Sequence, residues 1–201
     1  VKVYLPLAEK MLRKMLDEKT MRSDKELDLY LLVLEKLDKL AEAKDLLEST
    51  ELLESMENTD KIIDPLAYRL DYYQRLENHA SVIQVCQELL SKNPDNWIAW
   101  ENYLKSIFKL NEKETVGDNH TFESCGQLIS HYLTSHGQMM RGPHLARFHF
   151  ISRQLQDPES LPLPPPSSTT LIQEHVRDYF ARFGHKPVAA FDLSDYLPKI
   201  L

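Results

Sequence analysis

The chain has 201 residues, 42% apolar and 27% charged, with a formal net charge of −7. That composition supports a buried core and excludes wholesale disorder, and two cysteines are too few for a disulfide scaffold. The acidic balance argues against a general nucleic-acid binder, and the apolar run Leu29–Leu34 falls far short of the ~20 residues that span a membrane.

Glycine and charge are unevenly placed. All five glycines lie beyond residue 116, so the earlier part lacks the residue that most readily makes tight turns. Helices joined by polar turns tolerate this and strand-rich folds rarely do. Residues 35–64 carry ten carboxylates against four lysines, whereas residues 124–156 contain no Asp or Glu. The opening Val1-Lys2-Val3 has no initiator Met or signal-like segment, and the chain stops one residue past Ile200 within an apolar pattern. The expectation is an interior piece of a longer cytoplasmic protein.

Helical spacing recurs from the start. Leu5, Ala8, Leu12 and Met15 share a face. Ser23 with Glu26 makes a capping box ahead of Leu27, Tyr30, Leu31, Leu34 and Leu37. A third helix runs from about Ala41 past Leu47. Asp64-Pro65 reads as N-cap and first helical residue before Leu66, Leu70, Tyr73 and Leu76. Val82, Val85, Cys86, Leu89 and Leu90 form the next stripe. Asn93-Pro94-Asp95 ends that helix and caps one carrying Trp97, Trp100, Tyr103, Leu104, Ile107 and Phe108. After a polar loop at 111–120, a helix runs through Phe122, Leu128, Ile129 and Tyr132. Gly142-Pro143 opens another, with Leu145, Phe148, Ile151 and Leu155 inward. The stretch 157–168 holds five of the eleven prolines and reads as a non-helical linker. Thr170 with Gln173 restarts a helix striped by Ile172, Val176, Tyr179, Phe180 and Phe183, and Gly184 is its natural C-cap. The fold class is all-α.

Internal repetition sharpens that class. Leu76-x5-Val82-x3-Cys86 superposes on Leu37-x5-Ala43-x3-Leu47 at an offset of 39. Counting positions from Ile63 and Trp97 gives irregular tetratricopeptide-like units with Tyr73, Pro94, Trp100 and Ile107 at motif positions. The expected layout is tetratricopeptide-like helical repeats over 1–156, the proline-rich linker over 157–168, and further helices over 169–201. Such helix pairs stack as an α-α superhelix because neither pair buries both apolar faces alone. The first helix of each pair lines the concave side, where partners lie. The partner-facing positions are then Ala67, Asp71, Gln74 and Arg75 in one unit. In the next they are Ile98, Glu101, Lys105, Phe108 and Lys109.

Chemistry-bearing constellations are sparse. His131 and His136 point in different directions round a helix, His144 lies near an apolar face and His149 off it. No companion Cys or Glu stands at ligand spacing, so no metal site is expected. Cys86 sits on an apolar stripe and Cys125 is isolated, which gives neither a nucleophile's setting. Asn119-His120-Thr121 matches a glycosylation sequon without secretory context. No GxGxxG, P-loop or GxSxG is present. Arg141, Arg147 and Arg153 in the acid-free window are candidate basic contacts to phosphate or an acidic partner, against the plainer reading of a solvated surface.

Two segments carry a family likeness. Arg141-Gly142-Pro143-His144-Leu145-Ala146-Arg147, with Ile151 and Arg153 following, and Tyr179-Phe180-Ala181-Arg182-Phe183-Gly184-His185-Lys186-Pro187, with Asp192-Leu193 beyond, resemble the auxiliary, non-catalytic subunit of the NatB protein N-terminal acetyltransferase complex. Leu5–Met11 and Asn93–Leu110 fall in the same order. The family tends to carry a Cys pair and an aromatic after Lys-Pro, whereas Val188-Ala189-Ala190-Phe191 moves that aromatic by one. The resemblance implies a superhelical scaffold around a small catalytic subunit, which would hold the acetyl-CoA. It also implies acetylation of nascent chains beginning Met-Asp, Met-Glu, Met-Asn or Met-Gln, with ribosome association. No catalytic or cofactor residue carries over to this chain. A generic peptide-binding adaptor unrelated to acetylation is the alternative.

Overall fold

Capping chemistry sets where the helices begin. A computed structural model describes residues 4–21, 23–49, 64–112, 122–156, 168–194 and 196. Among them are ten helices and no strand: α1 (Leu5–Asp17), α2 (Asp24–Lys36), α3 (Leu40–Glu48), α4 (Pro65–Arg75), α5 (His79–Lys92), α6 (Trp97–Glu112), α7 (Phe122–His136), α8 (Gly142–Gln156), α9 (Ser168–Phe183) and α10 (Val188–Ser194). At α2 the capping box forms in both directions, Glu26 N–H donating to Ser23 Oγ at 3.3 Å and Ser23 N–H to Glu26 Oε2 at 3.2 Å. At α4, Leu66 N–H donates to Asp64 Oδ1 at 3.0 Å, with Pro65 where a missing donor costs nothing. At α6 the cap is Asn96, which accepts from Ala99 N–H at 3.1 Å, rather than Asp95. No described helix is long and apolar enough to cross a membrane.

Three helices of the glycine-free part, α1, α2 and α4, end in a shared way. Lys19, Asp38 and Glu77 take left-handed φ of 52°, 60° and 52°. Each precedes a residue whose N–H reaches back five positions: Thr20 to Met15 O, Lys39 to Leu34 O and Asn78 to Tyr73 O, at 2.8, 2.9 and 3.0 Å. This is the Schellman closure, normally built on glycine. Asp38 and Glu77 stand 39 residues apart, the offset of the sequence repeat. Behind each turn the repeat residues fill equivalent places: Ala43 and Val82 are both buried, as are Leu47 and Cys86.

The chain forms two compact units, Val1–Tyr72 and Tyr73–Leu201, with the division inside α4. In the first, α2 packs against α1 and α3 around Leu27, Leu31, Leu34, Ala43 and Leu47. Glu9 joins Lys39 at 2.8 Å and Arg13 at 2.9 Å, and Glu42 takes both cations as well. Its hydrogen bond with Lys39, more than any other contact, holds the Glu9 carboxyl below its ordinary pKa. In the second unit α5 packs on α6, and α8 contacts α6 and α7. Tyr73, Cys86, Trp100, Tyr103 and Ile107 are all buried. Trp100 is fully enclosed and satisfies its indole N–H on Pro94 O at 2.9 Å. Leu145 and Phe148 of α8 cluster with Tyr179, Phe183, Ala189 and Leu193, joining α9 and α10 to the same core.

Three sequence expectations change here. Gly184 follows α9, yet no described glycine has positive φ; a Cβ there would meet Phe180 O at 2.5 Å, so close approach explains the residue. Phe180 is exposed, because His175 rather than Phe180 completes the inward face with Ile172, Tyr179 and Phe183. His149 lies among the rings of Trp97, Phe108 and Tyr196 instead of off the apolar face. The sequon at 119–121 and residues 157–167 of the expected 157–168 linker lie outside the described residues, while Ser168 already begins α9.

Candidate functional site

The partner-facing positions separate by burial. Ala67 and Asp71 are exposed in the first unit, and Gln74 and Arg75 in the second. On α6, Ile98 is 65% exposed, a high value for an aliphatic side chain, and Lys105 and Lys109 are exposed as well. Glu101 pairs with Lys105 at 2.9 Å, one helical turn on. Phe108 does not belong to this face. It is buried against Phe122, His149 and Phe150, because its position on α6 turns toward α7 and α8.

The three arginines of the acid-free window also part company. Arg141 faces Asp192 at 3.5 Å. Arg153 lies 5.8 Å over the Phe108 ring. Arg147 is half-buried, and desolvation lowers its pKa. They form no common basic surface. His131 is exposed and His136 half-buried, each against Tyr132. Among the described residues no group of His, Cys, Asp or Glu converges as metal ligands would. Burial pushes the Cys86 and Cys125 thiols up to about 12, the reverse of what a nucleophile needs. In the first unit an open groove of about 320 Å³ is lined by Arg13, Tyr30, Glu42, Asp45 and Leu46, and its arginine is already neutralised by Glu9 and Glu42.

The two family-like motifs meet each other. Gly142 opens α8 against the Pro94-Asp95 turn, so closely that a Cβ would lie 2.9 Å from Pro94 O and 3.0 Å from Asp95 Cα. Asp95 Oδ1 accepts the Gly142 N–H at 2.6 Å, capping α8 from 47 residues away. Two residues further, His144 donates from Nε2 to Gly137 O at 2.8 Å, its Nδ1 buried without a hydrogen-bond partner among the described residues. Its ring stacks on His175 at 5.1 Å and meets Phe183 edge-on at 5.5 Å. Tyr179 donates to Asp192 Oδ2, the oxygen that also faces Arg141. Thus Arg141 and His144 of one motif bind Asp192, Tyr179 and Phe183 of the other. The family likeness marked both motifs, but Asp95 and His175 were missed as their partners.

Residues 97–201, which contain this whole junction apart from Pro94 and Asp95, match the family described as N-acetyltransferase B complex (NatB) non catalytic subunit. The chain belongs to that family. Residues 1–90 match the Psidin N-terminal TPR repeats region, which gives the fold as tetratricopeptide-like helical repeats. The chain is 29% identical to the N-alpha-acetyltransferase 25, NatB auxiliary subunit, of Rattus norvegicus, over 98% of this chain and 21% of that protein. The protein of the same name in Homo sapiens is 28% identical over the same shares. A Phagocyte signaling-impaired protein of Aedes aegypti is 25% identical over 97% of this chain and 20% of that protein. The chain therefore spans about a fifth of the length of the curated relatives it matches. As a member of a non-catalytic family it is not itself the acetyltransferase. The first motif is largely core, whereas of the second only Tyr179 and Phe183 are buried; through these residues α8, α9 and α10 lock together.

Proposed function

We propose that this chain is part of the scaffold that holds the catalytic subunit of a NatB complex, with acetyl-CoA bound by that partner. The complex would acetylate the N-terminal Met of nascent proteins starting Met-Asp, Met-Glu, Met-Asn or Met-Gln, in the cytoplasm and in association with ribosomes. The NatB family match over residues 97–201 carries the reading. The helix-pair architecture supports it, since stacked repeats offer long polar faces beside a continuous core. Exposed Ile98, Lys105 and Lys109 on one side of α6 are such a face. The test is co-expression of the full-length protein with the catalytic subunit, followed by capture and acetylation of a Met-Asp peptide. Capture with acetylation that needs both chains supports the scaffold. A folded full-length protein that ignores the catalytic subunit but binds unrelated peptides would make it a generic adaptor instead.

A further inference from the structure

α8 is enclosed on most sides. Successive residues turn by about 100°, so each neighbour can be assigned to a row of the helix. His144 and Phe148 face α9 through His175 and Tyr179. Phe150 faces α6 and α7 through Phe108 and Phe122. His149 and Arg153 are only half-buried, but aromatic rings cover them. One row is left half-open: Arg147, Ile151, which the sequence spacing had placed inward, and Gln154, at spacings of four and three. It runs between the α7 side and the α9 side of the helix.

Arg147 is the anomaly in that row. A guanidinium drawn out of water is costly unless an anion meets it. Arg141 has Asp192 and Arg182 has Asp178, whereas Arg147 has no hydrogen bond or ion pair among the described residues. No acid exists within 124–156 to supply one. His144 and His175 beside it are held neutral by burial. Asp178 and Arg182, the other charges felt at His144, cancel each other at 2.8 Å. The seam therefore presents one uncompensated cation next to an aliphatic side chain.

We propose that Arg147 receives a carboxylate side chain of the protein partner that this chain holds, and that the segment bearing it lies along the Arg147–Ile151–Gln154 seam of α8. This rests on the scaffold reading above. A single half-buried guanidinium suits a planar carboxylate, which it binds through two parallel N–H donors. A nucleic-acid backbone would call for a stripe of cations, which the dispersed Arg141, Arg147 and Arg153 do not make.

The test uses the full-length protein with the catalytic subunit, comparing wild type, Arg147→Met and Arg147→Lys. Arg147→Met keeps the stem's packing and removes the unpaired charge, so its thermal midpoint should equal or exceed that of wild type. Its Kd for the catalytic subunit should nonetheless weaken by about tenfold or more, with Arg147→Lys between the two. Unchanged Kd for Arg147→Met overturns the inference, and so do Kd and midpoint falling together, which marks a structural arginine. If Arg147→Met keeps its Kd but loses salt-dependent co-sedimentation with ribosomes, the ligand is phosphate and the carboxylate assignment falls. Failure of the wild-type protein to capture the catalytic subunit overturns the scaffold reading, and this inference with it.

Discussion

Burial takes His175 far from its free state. It is 8% exposed, packed between Phe148 and the His144 ring, and burial lowers its pKa from 6.5 to about 3. The unfolded chain thus binds a proton near pH 6.5 that the folded chain refuses until far lower. Stability from this site is complete above pH 6.5 and is lost as the pH falls toward 3, at about 1.4 kcal/mol per pH unit. His144 is shifted the same way, first by burial, and adds to the loss. Urea midpoints followed from pH 7 to 4 should therefore fall steeply, and His175→Phe should flatten the fall. Equal slopes for both proteins would mean that the site does not govern acid stability. The sequence held a signal for this residue, since positions 172, 175, 179 and 183 share one helical face. The apolar stripe drew attention to Val176 and Phe180 instead, because hydrophobic spacing alone does not count a neutral imidazole as core.

Turns between helices show what a sequence without glycine costs. Lys19, Asp38 and Glu77 each hold a left-handed backbone that a side chain disfavours by about 1–2 kcal/mol, part of which glycine would return as unfolded-state entropy. Glu77→Gly should therefore stabilise the protein by roughly 0.5–1 kcal/mol, read as a rise in denaturant midpoint without a change in slope; a loss of stability would show that the Glu77 side chain matters more than its φ. The opposite holds at α8. Gly142→Ala drives a Cβ into the backbone of Pro94 and Asp95, neither of which can swing aside, and should cost roughly 1–3 kcal/mol. Asp95→Ala removes only the cap on Gly142 N–H and should cost about 1 kcal/mol. If Gly142→Ala proves the milder of the two by thermal unfolding, the close approach is not what selects glycine. Helix existence and most starts were legible because caps and periodicity are local. Asp95 was assigned to the nearer helix, α6, because a cap reaching 47 residues along the chain leaves no mark in local spacing.

For the whole molecule, the repeat offset of 39 was legible and reappears in paired turns and paired buried residues, whereas outward positions were less so. Register from Ile63 and Trp97 placed Phe108 outward, but α6 meets α7 and α8 on two sides, and that second neighbour encloses it. What remains of the α6 face is Ile98, Glu101, Lys105 and Lys109, with Arg75 on α4 in the same unit. If these positions meet the catalytic subunit or a nascent chain, replacing Arg75, Lys105 and Lys109 together by Glu changes the local charge by about six units. Lys105→Glu also sets like charges one turn apart from Glu101, a penalty of only about 0.3 kcal/mol, so the helix should survive. In the full-length protein the triple variant should keep its circular dichroism and thermal midpoint while losing affinity for the catalytic subunit. The loss should shrink as salt rises, since these side chains are exposed and screened. A folded triple variant with unaltered capture and unaltered acetylation of Met-Asp chains would remove this face from the working surface. The half-open seam of α8, with Arg147, would then be the better candidate surface.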